Sequence, residues 1–79
     1  MLRIETLYNT LKKANLNPEW IEDDNGDPTE EICVTINGAD YEISESAAPL
    51  MFGVKAEIPF EEPEYYALDA EGVMNLLRQ

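Results

Sequence analysis

The chain contains no histidine and only one cysteine, Cys33. Without an imidazole, neither a Ser-His-Asp nor a Cys-His pair can be assembled. A single thiol excludes an internal disulfide and leaves a structural zinc ion short of ligands. The four glycines, at 26, 38, 53 and 72, are isolated from one another, so no glycine-rich phosphate loop exists. No apolar run approaches the ~18 residues of a membrane span, and MLRIETLYNTLKK alternates polar with apolar, unlike a signal peptide. Carboxylate pairs are plentiful, but glycosidase-type chemistry needs a cleft that 79 residues can scarcely enclose. These absences point to a soluble cytoplasmic protein that is not an enzyme and carries no cofactor or metal.

Positive charge is also scarce. Five bases stand against 17 acids, a formal net charge of −12. The imbalance is uneven along the chain. Arg3, Lys12 and Lys13 outweigh Glu5 before residue 16, whereas only Lys55 and Arg78 oppose the other 16 acids beyond it. Such a field repels nucleic acid and membrane surfaces and attracts basic proteins. With 44% hydrophobic residues the chain is too apolar for a disordered acidic tail. Its length allows one domain, spanning residues 1–79, which buries little more than ~60% of its unfolded surface.

Residues 31–44, EICVTINGADYEIS, are the best-specified stretch. Two alternating apolar runs meet at Asn37 and Gly38, a dipeptide suited to a type I′ turn, in which both central positions need positive φ. The hairpin then pairs Ile36 with Ala39, Val34 with Tyr41 and Ile32 with Ile43 on one face. Thr35 with Asp40, Cys33 with Glu42 and Glu31 with Ser44 lie on the other. A slip of one residue would destroy the apolar match.

The remaining elements follow from periodicity. Ile4, Leu7, Tyr8, Leu11 and Ala14 recur at helical spacing, predicting an amphipathic helix over 2–14 that stops at Asn15. Residues 19–23 read as a strand pairing with 32–36, its Trp20 in the core. Residues 47–52 read as either one helical turn begun by Pro49 or an apolar loop, broken by Gly53. Val54, Ala56 and Ile58 then alternate as a fourth short strand. Pro59 and Pro63 bracket an extended acidic connector. Asp69 is an N-cap, with Leu68 stapling to Val73, for a short final helix striped by Val73, Met74, Leu76 and Leu77. The expected fold is α+β: a three- to four-stranded antiparallel meander with a helix from each end of the chain packed on one face.

The chemistry that remains is carboxylate. Asp23, Asp24, Asn25, Gly26 and Asp27 resemble part of a calcium loop. Aligning Gly26 with the loop's glycine, however, puts isoleucines, Ile21 and Ile32, at the first and last ligand positions. The acids instead form candidate partner-binding patches. Asp40, Glu42 and Glu45 follow the hairpin turn, and Asp23, Asp24 and Asp27 precede its first strand. Glu61, Glu62 and Glu64 run up to Tyr65 and Tyr66. Placed on one side, they would imitate a phosphate backbone and offer arginines bidentate partners.

The hairpin, through Ile32, Val34, Gly38, Tyr41 and the run Ile43, Ser44, Glu45, Ser46, resembles that of a family of small acidic phage anti-CRISPR proteins that inhibit Cas9. The resemblance implies an N-terminal helix followed by a three-stranded sheet. It also implies a DNA mimic that occupies the site where the effector reads the motif beside its target. Contacts of that family's turn map here onto Asn37 and Asp40, and those of a later acidic run onto Glu61, Glu62, Glu64 and Tyr65. In that family two helices follow the sheet, whereas here prolines interrupt the chain and residues 53–58 read as a strand. The expected function is therefore a monomeric inhibitor bound to a basic nucleic-acid-handling protein, a Cas effector by resemblance. The alternatives are a small interaction module, homodimeric through its sheet edges or the Met51 and Phe52 patch, and a regulator of another basic protein.

Overall fold

The computed structural model describes residues 3–78. The chain runs α1 (Arg3–Lys13), β1 (Glu19–Glu22), β2 (Pro28–Ile36), β3 (Ala39–Glu45), β4 (Met51–Glu57), β5 (Glu64–Asp69) and α2 (Ala70–Leu77). The expected helix start at residue 2 lies outside the described residues. All neighbouring strands are antiparallel and consecutive, giving one sheet in the order β1-β2-β3-β4-β5. The fold is α+β, as the periodicity implied. Among the described residues no helix is long and apolar enough to cross a membrane.

The β2–β3 register matches the pairing arithmetic residue for residue, from Glu31 opposite Ser44 to Ile36 opposite Ala39. Asn37 and Gly38 both take positive φ, 52° and 82°, as a type I′ turn requires. The expected β1–β2 pairing is only partly met. Trp20 opposes Ile32, but Glu22 opposes Pro28, so β2 carries two extra residues. That bulge holds Glu30 at φ 64°.

Two strands differ from the expected plan. Gly53 does not end an apolar turn; it lies inside β4, opposite Ser44 on one side and Ala67 on the other. The acidic connector closes at Pro63: Glu64, expected within it, opens a fifth strand with Tyr65 and Tyr66, where the periodicity indicated no element. Both turns that bound β4 put proline second and an apolar residue third, at positive φ. Leu50 takes 61° between Ala48 and Met51, and Phe60 takes 68° between Ile58 and Glu61.

One face of the sheet carries the core. Ile32, Val34, Ile43, Phe52 and Val54 meet Ile4, Leu7 and Leu11 of α1 and Val73 and Leu77 of α2 in a single buried cluster. α1 lies over β2 and β3, and α2 lies over β4 and β5. α1 ends in a Schellman motif: Asn15 takes φ 61°, its N–H donates to Lys12 O, and Leu16 N–H donates to Leu11 O, both at 3.1 Å. Trp20 is half-buried and stacks on Tyr8 with ring centroids 4.9 Å apart. Asp69 caps α2 as expected, its carboxylate accepting from Gly72 N–H at 2.7 Å. Gly72 leaves room for that cap, because a Cβ there would stand 3.1 Å from Leu68 Cβ.

Arg3 ties α1 to the β3–β4 loop. Its Nε donates to Glu45 Oε1 at 2.9 Å, Nη2 to Ser46 O at 2.9 Å and Nη1 to Ala48 O at 3.2 Å. The guanidinium also lies 5.9 Å from the Phe52 ring centroid.

Candidate functional site

Because both helices pack on one side, the other side of the sheet is left open. The register arranges its side chains in rows that cross the strands. The row nearest the β2–β3 turn is Thr35, Asp40 and Glu57. Next come Glu19, Cys33, Glu42, Lys55 and Tyr65, then Glu31, Ser44, Gly53 and Ala67. None of these residues is buried. The three rows hold Glu19, Glu31, Asp40, Glu42 and Glu57 against a single cation, Lys55. Pleated geometry spaces such groups about 4.8 Å apart between strands and about 7 Å apart along one strand.

The electrostatics follow from that crowding. The Glu42 carboxyl is pushed above the ordinary carboxylate range, first by burial and then by Glu57, with Lys55 pulling the other way. Lys55 sits 3.4 Å from Glu57, which holds its ammonium above the usual lysine range. Burial raises the Cys33 thiol, and Asp40, Glu42 and Glu19 reinforce that shift, so its reactive thiolate is disfavoured. Thr35 donates its hydroxyl to Asp40 at 2.6 Å and holds that carboxylate in place.

The shift at Glu42 makes a testable statement about stability. The folded chain keeps this proton at pH values where the unfolded chain has already released it. Stability therefore falls as pH rises through the window above the unfolded value. Glu42→Gln is expected to raise Tm at pH 7 by about 2–4 °C, the effect of about 0.5 kcal/mol from a charge no longer burdened by burial and by Glu57. At about pH 2.5, well below the ordinary glutamate value of about 4.3, both states are protonated and thermal melts of the two proteins should coincide.

Two hollows shape the open face. One, of about 370 Å³, lies over Ser44 and Gly53 between Glu31, Glu42, Lys55 and Tyr65. Its floor is low because neither facing residue carries a large side chain. The other, of about 250 Å³, joins the two loops at the far end, lined by Gly38, Asp40, Glu57, Pro59, Glu61 and Pro63. The fold thus brings the β2–β3 turn, with Asn37 and Asp40, beside the β4–β5 connector that carries Glu61 and Glu62.

The other expected residues lie elsewhere. Asp23, Asp24 and Asp27 occupy the β1–β2 turn at the opposite end of β2, a nine-residue strand roughly 30 Å long. Asp23 is occupied in shaping that turn, since its Oδ1 accepts from Asn25 N–H at 2.9 Å and Asp27 N–H at 3.0 Å. Glu64 opposes core-side Ala56 and accepts the Tyr66 hydroxyl, which raises the Tyr66 pKa. Glu45 is a correction. It was expected beside Asp40 and Glu42, but it is an odd number of residues from both and so points to the helix-bearing side, where it pairs with Arg3. Glu19, Glu31 and Glu57 take up the vacated role. Strand parity could have found Glu57, had β4 been known to pair with β3.

No group of three or more His, Cys, Asp or Glu residues placed to hold a metal ion occurs among the described residues. No protein-family model, no curated protein and no solved structure matches the chain.

Proposed function

We propose that the chain is a non-enzymatic acidic decoy that occupies a basic nucleic-acid-binding surface of another protein. The observation that carries this reading is the uncovered sheet face, on which the register holds five carboxylates at fixed spacing in three rows with one cation, Lys55. A rigid sheet holds these groups without the ordering cost that a flexible acidic tail would incur on binding. Guanidinium groups that grip phosphates bidentately accept carboxylates in the same fashion. A CRISPR–Cas effector is the partner to which the hairpin resemblance points. The free protein stays monomeric in this reading, because a net charge of −12 opposes self-association.

The test is capture of a guide-loaded Cas effector by the immobilised chain, followed by release with target DNA. Binding is expected to weaken by about tenfold or more between low and physiological ionic strength, and DNA should displace the chain competitively. Affinity that ignores ionic strength, or a complex that still admits DNA, would overturn the decoy mechanism.

A further inference from the structure

We propose that Phe60 stands in for an unstacked base, so that the surface this chain occupies belongs to a protein that binds single-stranded nucleic acid; the inference rests on the acidic-decoy reading above. The turn at residues 58–61 carries the argument. Glu61 N–H donates to Ile58 O at 3.1 Å, Pro59 is second, and Phe60 is third at φ 68°. That third position of a type II turn is where the chain normally places glycine or asparagine. A bulky aromatic residue there strains the backbone, and strain of this kind persists where something else rewards it. The reward is not internal: Phe60 is 107% exposed, the most exposed large apolar side chain described.

The matching turn at the other end of β4 provides a comparison. Leu50 has the same arrangement and is itself 73% exposed, but it borders an apolar groove with Leu7 and Phe52. Phe60 is more exposed still, and the hollow beside its neighbour Pro59 mixes Ile58 and Pro63 with carboxylates. Asp40, Glu57 and Glu61 line the hollow beside Pro59, and Glu62 follows. An exposed ring on a turn flanked by carboxylates reproduces the two features a single-strand groove reads. The ring can stack on an aromatic or arginine platform, while the carboxylates meet the lysines and arginines that track the backbone. Duplex DNA keeps its bases stacked inside and presents phosphates and groove edges, so an extruded ring has no counterpart there.

Competition assays test this directly. One uses a single-strand-binding OB-fold protein holding fluorescent oligothymidine, and the other a histone-like protein holding a fluorescent duplex. The natural chain is expected to displace oligothymidine at lower concentration than duplex. Phe60→Gly should raise the concentration needed against oligothymidine by about tenfold or more, while Phe60→Trp restores it. Against duplex, Phe60→Gly should change the required concentration by less than about twofold, since only the carboxylates act there. Glycine suits the positive φ, so the Tm of this variant should hold or rise and a folding defect cannot produce the loss. If Phe60→Gly competes as well as the natural chain in both assays, base imitation is overturned and the charge decoy survives. If the natural chain displaces neither probe at low salt, the decoy reading falls and this inference with it.

Discussion

Replacing Asp40, Glu42 and Glu57 together by lysine is expected to weaken the complex with a basic partner by roughly a hundredfold or more. This corresponds to about 3 kcal/mol, a moderate figure for three close charge pairs turned from attraction to repulsion. All three lie on the open face, two exposed and one half-buried, so the substitution removes no core packing. The net charge moves from −12 to −6, because each replacement changes it by two. That bulk change alone would slow encounter, so a matched control is needed. Glu5, Asp24 and Glu71 are exposed and lie on α1, in the distal β1–β2 turn and on α2, away from the proposed face. Their triple replacement by lysine alters net charge identically and should weaken binding far less. Surface-plasmon measurements at fixed ionic strength would separate the two, and equal losses would mean that overall charge, not this face, governs binding. Glu57 replaces Glu45 in the set because Glu45 is already bound to Arg3.

The second large effect concerns stability. Arg3→Ala is expected to cost about 2 kcal/mol and to lower Tm by about 8–16 °C, read from thermal and urea melts. The guanidinium donates to Glu45 and to the carbonyls of Ser46 and Ala48 in the loop between β3 and β4. Its loss leaves a half-buried carboxylate unpaired and removes the tie between α1 and this loop. A surface ion pair alone would be worth well under 1 kcal/mol, so the backbone bonds carry most of the expected loss. Arg3→Lys should recover only a minor part, since an ammonium cannot span the same acceptors as a planar fork. For a domain of this size, 2 kcal/mol is a large share of the few available.

How much of this the sequence revealed depends on how local the information was. The β2–β3 hairpin was legible to the residue, because its register is decided by alternation and by one dipeptide at the turn. The helix caps at Asn15 and Asp69 were legible for the same reason, being set by side chains within a few positions. β5 was not. Its helix-side residues, Glu64, Tyr66 and Leu68, are not uniformly apolar because an edge strand beneath a short helix is only half covered. Gly53 misled in another way, since glycine weakens a strand on average yet fits opposite Ser44 at no steric cost. The candidate face was half legible. Asp40 and Glu42 followed from hairpin parity, while Glu19 and Glu57 joined them only through the pairing of the outer strands. The clasp made by Arg3 left no local trace, because its partners lie more than forty residues away along the chain.

The strand order also bears on how quickly the protein becomes useful after synthesis. Every strand pairs with the one before it, so no β-ladder waits for a distant segment to arrive. Each hairpin can close as soon as its second strand is available, which keeps contact order low and favours rapid folding for a sheet protein. The α1 stripe then docks on β2 and β3, the next long strands to be made. On the decoy reading proposed above, such connectivity makes the chain competent soon after its last strand and helix are made.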